Sequence, residues 1–272
     1  MDALAQFKDS QKQSWVNFVP FEVHTTPAAA RLIQHAGITR GMKVLDVACG
    51  TGVVAITAAR LGAIVTALDL TPQLLERGKQ NAHLAEVQIE WHEGDVEKLP
   101  FGDSEFDLVL SQFGHIFAPR PDVATAEMLR VLKPGGTIAF STWPPEFMVG
   151  QTATLAARYA PPPPPGVAPP MLWGDPKIIE QRLGPYVEKV RFQREAMLVP
   201  ALSLAHHRAN AERAAGPLTK LVEKLSATDP ERLASFRREF DAIVAGYFGD
   251  NIVRQDYLMT AGRKVGGTVT RT

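Results

Sequence analysis

The sequence predicts an α/β protein built on a doubly wound, mostly parallel seven-stranded sheet of Rossmann-like form, with an antiparallel last strand and a helical cap insertion. Three observations predict it. Between Lys43 and Thr142 short apolar runs alternate with helical stretches, the pattern of repeated β-α-β units with right-handed crossovers. A glycine-rich turn, Cys49-Gly50-Thr51-Gly52, directly follows the first of those runs and precedes a helical stretch. Past Trp143 the alternation stops, and a proline-dominated segment and a long helical stretch precede one last alternating run, Ile252 to Thr260.

Taken in order, Thr25-Thr26-Pro27 offers an N-cap followed by a proline at the first helical position, which predicts a helix from Ala28 to Ala36 closed by Gly37. Val44–Ala48 reads as the first strand, Val53–Arg60 as a helix and Ile64–Leu68 as the second strand. Pro72–Leu84 is a helix, Val87–His92 the third strand and Asp107–Ser111 the fourth. Val123–Leu132 is a helix, Lys133-Pro134-Gly135-Gly136 a turn and Thr137–Thr142 the fifth strand. Ala160–Pro170 should run as a stiff polyproline-type connector, and Val187–Leu198 as a further strand. Leu202–Phe248 is mostly helical, and a frayed tail is expected from Gly266. One domain of 272 residues accounts for this: an N-terminal helical cover (1–40), a cofactor-binding core (41–143), a proline-rich insertion (144–186), the last strands (187–198 and 252–260) and a helical cap (199–250).

Twenty-nine basic and 29 acidic residues give a net charge of zero, so no net positive field gathers nucleic acid or an anionic membrane. A single cysteine, Cys49, excludes an intrachain disulfide and any cysteine cluster holding zinc or iron–sulfur. No apolar run reaches the roughly 18 residues needed to cross a bilayer, and Lys8 and Lys12 lie where a signal peptide would be apolar. A cytoplasmic protein without a membrane span or a nucleic-acid partner is expected.

The candidate site begins at Val44-Leu45-Asp46-Val47-Ala48-Cys49-Gly50-Thr51-Gly52. In an open parallel sheet ligands bind outside the carboxyl ends of the strands where the winding reverses. Glycines there let the backbone approach a ligand, and the following helix presents unpaired N–H groups. The next strand ends in Ala67-Leu68-Asp69, placing a carboxylate where it can accept both hydroxyls of a ribose, a device shared by NAD and adenosylmethionine enzymes. Asp69 as a strand-end cap and Cys49 as a small residue lining the turn are the structural alternatives.

With Ala67–Thr71, Glu93-Gly94-Asp95-Val96-Glu97-Lys98-Leu99-Pro100-Phe101 and Leu129–Gly136 added, four ordered motifs between Met42 and Trp143 resemble the class I S-adenosylmethionine-dependent methyltransferases, in particular the branch similar to ubiquinone- and menaquinone-biosynthesis methyltransferases. The resemblance implies S-adenosyl-L-methionine as cofactor, with S-adenosyl-L-homocysteine as product. It implies that Asp46 and the backbone of Ala48, Cys49, Gly50 and Gly52 face the methionine part, that Asp69 holds the ribose and that Leu70 packs on adenine. It further implies that Asp95 accepts from the adenine amino group, that the Val96 N–H reaches a ring nitrogen, and that the Ser111 carbonyl meets the ammonium. Many members have glycine where Ala48 stands. Asp95 as a turn former before Val96 is the plainer alternative.

The resemblance places the loop after the fourth strand beside the methyl donor, which makes His115 the candidate base by position; a histidine that orders the loop or packs beside Phe117 is its alternative. His24, His206 and His207 are expected to be packing or surface residues. Trp15, Phe18, Phe21, Trp143, Tyr159 and Trp173 lie outside the expected sheet and could wall an apolar pocket for a small-molecule acceptor, or fill core. No metal is required. Two other functions stay open at this level: an NAD-dependent oxidoreductase, which would want a fuller Gly-x-Gly-x-x-Gly than Gly50 and Gly52 followed by Val53-Val54-Ala55, and a catalytically inactive binding module on the same fold.

Overall fold

The computed structural model describes residues 3–266. Helix α1 (Ala3–Trp15), a 3-10 turn (Val16–Phe21) and α2 (Glu22–Ala36) form an N-terminal cover. The core then alternates: β1 (Lys43–Val47), α3 (Val53–Arg60), β2 (Ile64–Asp69), α4 (Pro72–Leu84), β3 (Glu90–Glu93), β4 (Phe106–Gln112), a 3-10 turn (His115–Phe117), α5 (Pro121–Val131) and β5 (Leu132–Thr142). Beyond it come α6 (Met148–Tyr159), a 3-10 turn (Pro170–Gly174), α7 (Pro176–Leu183) and β6 (Val187–Pro200). The last described elements are α8 (Leu204–Ala214), α9 (Gly216–Thr228), α10 (Pro230–Ala245), the two-residue β7 (Phe248–Gly249) and β8 (Ile252–Lys264). The expected tail beyond Gly266 lies outside the described residues.

The strand order is β3-β2-β1-β4-β5-β8-β6, with β7 paired to β8 at its start. All pairings from β3 to β5 are parallel, and β8 is antiparallel to both β5 and β6. The last strand is therefore the antiparallel one, as the sequence predicts, with β7 as an addition. The winding reverses between β1 and β4. Right-handed crossovers on the two sides of that reversal put α3 and α5 on opposite faces. Helix α2 packs beside α3 over β4, β5 and β8, while α5 and α7 pack on the other face.

Several boundaries move for physical reasons. Helix α2 begins at Glu22, six residues before Ala28, and takes in Pro27; the Thr25 and Thr26 hydroxyls donate to the carbonyls of Phe21 and Glu22 instead of capping a new start. Gly37 ends it with a left-handed φ of 73°. Lys133–Gly136 is not a separate turn: β5 starts at Leu132 and absorbs these residues through a register shift against β4 between Phe106 and Leu108. Strand β3 is four residues, starting at Glu90 and not Val87. The segment 144–186 carries two helices, α6 and α7, that its prolines hide at the sequence level.

Two apolar clusters hold the molecule together. The larger fills both faces of the sheet, with Leu32, Leu45, Leu68, Leu110, Phe140 and Met128 almost wholly buried. The second lies beneath the cap, where Leu155 of α6 meets Leu221, Leu225, Phe236, Phe240 and Val244 of α9 and α10. Helix α9 also packs on α1, and α8 on the 3-10 turn Val16–Phe21, so the cap braces the N-terminal cover.

Candidate active site

At the reversal of winding the chain leaves β1 through three left-handed residues, Ala48 (φ 52°), Gly50 (φ 56°) and Gly52 (φ 81°), which bend it sharply enough to start α3 at Val53. Ala48 holds a left-handed conformation costing an L-residue about 1–2 kcal/mol, a backbone that glycine adopts freely, despite its methyl group. Gly52 is required on a second ground, since a Cβ there would lie 2.6 Å from the Trp91 ring.

Two carboxylates tie this turn down. Asp46, on β1, reaches under it, and its Oδ2 accepts the N–H of Ala55 at 3.0 Å, capping a helix whose own N-cap residue offers no side chain. Its Oδ1 is buried without a partner. Asp69, the last residue of β2, accepts the Gly50 N–H and the Thr71 N–H, each at 2.8 Å. It therefore serves as a strand-end tie, and an ionised carboxylate retains further lone-pair sites beyond these two bonds. Burial pushes the Asp46 carboxyl up to about 8, opposed by the Ala55 bond and reinforced by the charge of Asp69; burial raises Asp69 too, against its backbone donors. The Cys49 thiol, buried and facing the same two acids, is pushed well above its usual value and stays protonated, as befits a lining residue.

Asp95 and Val96 sit in the turn after β3. Val96 is buried, while Asp95 accepts the Glu97 N–H at 2.9 Å, an Asx turn. The other Asp95 oxygen meets Lys8 of α1 at 2.5 Å, and Lys8 also binds Glu97 at 2.6 Å. Glu97, whose side chain is 1% exposed, additionally accepts the Arg120 N–H and its guanidinium. Lys12 pairs with Glu93, Gln11 donates to the Phe117 carbonyl, and the Trp15 ring lies 4.6 Å from that of Phe117. Helix α1 thus closes over both walls of the cleft, the turn after β3 and the loop after β4. Leu70, next to Asp69, is half-buried at the same strand end.

Near the end of β4 the Ser111 hydroxyl donates to the Val47 carbonyl at 2.9 Å and accepts the His115 N–H at 3.2 Å, tying the loop after β4 to the end of β1. Gly114 makes the approach possible, because a Cβ there would come within 2.5 Å of the Ala48 Cβ.

His115 is a correction to the expectation of an accessible base. Its ring is wholly buried, 4.7 Å from both Phe140 and Trp173, and neither ring nitrogen has a partner. Burial, helped by the Arg182 charge that stacks on Trp173, lowers its pKa to about 3. It is neutral and shut away from the cleft because the insertion folds Trp173 over it; no sequence signal shows that cover. Trp173 is therefore core, and Tyr159, at the end of α6, packs against the cap on Phe236 and bonds to Glu239. His207 is buried in α8 and stacked on Phe240, His206 accepts the Leu202 N–H beside it, and His24 lies against Phe21. Trp15, Phe18 and Phe21 form a chain of ring contacts along the cover. Sequence reasoning missed Phe113 and Tyr257, which pack with Trp143 near the carboxyl ends of β4 and β5; the only available signal was the position of Phe113 in the loop after the fourth strand. Among the described residues no group of histidine, cysteine and acidic side chains is arranged to hold a metal, and no helix is long and apolar enough to cross a membrane.

Residues 45–140 match the model of a methyltransferase domain family. An uncharacterised protein of Mycobacterium tuberculosis is 34% identical over 239 residues, covering 88% of this chain and 87% of that one. A demethylmenaquinone methyltransferase of Staphylococcus aureus is 40% identical over 126 residues, 45% of this chain and 51% of that one. In fold the chain resembles the YcgJ protein from Bacillus subtilis, with a TM-score of 0.59 at 17% identity over 88% of this chain and 98% of that chain. The four ordered motifs, the tied turn at the sheet's reversal and these likenesses agree, and they displace the NAD-dependent reading: the chain belongs to the class I S-adenosylmethionine-dependent methyltransferases.

Proposed function

We propose that this methyltransferase acts on a small organic acceptor, methylated on oxygen, carbon or nitrogen by in-line displacement. The observation that carries the assignment of the cofactor residues is the pair of buried acids, Asp46 and Asp69, at the carboxyl ends of adjacent strands, with Asp46 Oδ1 lacking any partner. A buried oxygen without a donor is costly unless a ligand supplies one. S-adenosylmethionine brings two cationic groups, and two buried acids, one of them with an oxygen that no donor meets, are the complement it needs.

In this reading Asp46 and the backbone from Ala48 to Gly52 receive the methionine part, with the Ser111 carbonyl directed to its ammonium. Asp69 offers its remaining lone pairs to the ribose hydroxyls, Leu70 packs on adenine, the Val96 N–H meets a ring nitrogen, and Asp95 accepts the adenine amino group once Lys8 yields. When bound, the sulfonium supplies an activated methyl carbon, whose bond to sulfur breaks as an acceptor lone pair bonds to it, the electrons of the broken bond staying on sulfur. The residues orient the partners and exclude water. With His115 enclosed, the proton of an X–H acceptor passes to solvent. Balanced charge supports a small molecule over nucleic acid, and a lone, protonated Cys49 suits a reducing cytoplasm.

Calorimetric titration of the purified chain with S-adenosylmethionine, S-adenosylhomocysteine and NAD tests this reading. Micromolar binding of the first two that is weakened in Asp69→Asn supports it. Unchanged affinity in both Asp69→Asn and Asp46→Asn removes these residues from the site.

A further inference from the structure

The carboxyl ends of β4 and β5 and the first half of the antiparallel β8, on the face covered by α2, carry an aromatic slab with polar atoms that the protein leaves unused. Phe113 sits at a left-handed φ of 62°, uncommon for a bulky side chain, and its N–H donates to the Ser141 carbonyl at 3.0 Å. Its ring stacks on Trp143 at 4.0 Å and 12°, and Tyr257 stands edge-on to both, at 5.5 and 6.2 Å. Three separate parts of the chain thus build one aromatic wall. The residue after Phe113 is Gly114, in contact with Ala48, so the wall adjoins the turn assigned to the methionine part.

Beside the wall lie polar groups without partners. Gln112 pairs with Ser141 across β4 and β5, and Ser141 with Met259 across β5 and β8, so their side chains leave the same face; Trp143 and Tyr257 follow two residues on with the same parity. Ser141 is wholly buried and its hydroxyl makes no hydrogen bond. The Gln112 Nε2 donates to the Thr25 carbonyl of α2 at 2.9 Å, which fixes its amide, yet its Oε1 is buried and unpartnered. Burial and the charge of Glu195 push the Tyr257 hydroxyl up to about 12, so it keeps its proton at neutral pH. Glu195 and Arg31, the charges that act on Tyr257, are opposite in sign, and no charged side chain belongs to the group itself. An ordinary core would put apolar atoms at these places.

We propose that this wall is the acceptor site and that it takes a neutral, planar aromatic molecule bearing a hydroxyl, its ring against Trp143 and Phe113 and its O–H given to Gln112 Oε1. The hydroxyl oxygen accepts from Tyr257, which makes Gln112 and Tyr257 the residues that set specificity. The inference rests on the small-molecule methyltransferase reading above.

The test is calorimetry on the full chain saturated with S-adenosylhomocysteine, using 1-naphthol as probe, cyclohexanol as the non-planar hydroxyl and 1-naphthoate as the anionic ring. 1-Naphthol should bind at least tenfold more tightly than either control. Gln112→Leu and Tyr257→Phe should each weaken it at least fivefold, with the affinity for S-adenosylhomocysteine unchanged; Ser141→Ala, a smaller change, serves in place of any variant that fails to fold. Naphthol binding no tighter than cyclohexanol, or equal in wild type and variants while S-adenosylhomocysteine still binds, overturns the acceptor assignment alone. A wild-type chain that does not bind S-adenosylhomocysteine overturns both readings.

Discussion

Asp46 gives the sharpest test of the cofactor assignment, because binding should change its protonation. In the free protein its carboxyl titrates at about 8, driven up chiefly by burial, against an ordinary value of 3.8. At pH 7 it is then about nine-tenths protonated. A cation placed against the unpartnered Oδ1 favours the carboxylate and returns the pKa toward its ordinary range. Binding at pH 7 should therefore release about 0.9 proton, and at pH 9.5 almost none. The assay is titration of S-adenosylmethionine in two buffers of equal pH and different ionisation enthalpy, whose difference in heat divided by the difference in ionisation enthalpy counts the protons. Affinity should rise with pH up to about 8, approaching tenfold per unit, and level off above it. The same shift bears on stability with a defined sign. A carboxyl raised in the folded state contributes stability in full below pH 3.8, and that contribution is lost as pH rises to about 8, a span worth ~6 kcal/mol at ~1.4 kcal/mol per unit. Asp46→Asn keeps an acceptor for Ala55, abolishes this component of proton release and flattens the pH dependence of Tm between 4 and 8. Heat that does not depend on the buffer in wild type would falsify the placement of Asp46 at the cation.

Further outcomes follow from individual contacts. Lys8→Met frees Asp95 from α1, so cofactor should bind faster and more tightly, by up to about tenfold at low salt, in stopped-flow measurements; slower or weaker binding would show that the cover assists capture. Gly114→Ala drives a methyl group into Ala48 and should destabilise the chain by about 1–3 kcal/mol in denaturant unfolding; a loss below about 0.5 kcal/mol would mean that the two loops separate easily. His115→Leu should retain turnover at pH 8 within twofold, since the enclosed ring cannot serve as a base. A histidine lowered to about 3 gives up stability as pH falls from 6.5, ~2 kcal/mol at pH 5, so the leucine variant should resist acid better than wild type. A hundredfold loss of turnover without a loss of Tm would restore the base.

Much of the fold was readable from the chain because the cofactor core is built locally. Val44, Leu45 and Val47 form an apolar run that a parallel sheet buries on both faces, and the helix that follows shows its own period, so α3 and α4 begin and end where the sequence places them. The glycine turn and Asp69 are likewise local, since a strand tip and the turn beside it are fixed by a few adjacent residues. Helix α2 was read six residues short because Pro27 looks like a start. Its ring is tolerated inside the helix, and only the packing of Thr25, Ala28 and Ala29 on the sheet shows that the helix continues upstream.

What the sequence by itself determined is the alternation that makes the sheet, the reversal point where the turn lies, and the acids Asp46, Asp69 and Asp95 brought to it. Tertiary structure alone decided which histidine is enclosed, which lysine covers Asp95, and which aromatic rings share a wall. Lys8 and Asp95 are 87 residues apart, Gln112 and Thr25 are 87 apart, and Tyr257 reaches Phe113 only because β8 inserts antiparallel between β5 and β6. Local residue chemistry favours local elements, but burial, and with it the protonation of His115 and Asp46, is a property of distant segments arriving at one place.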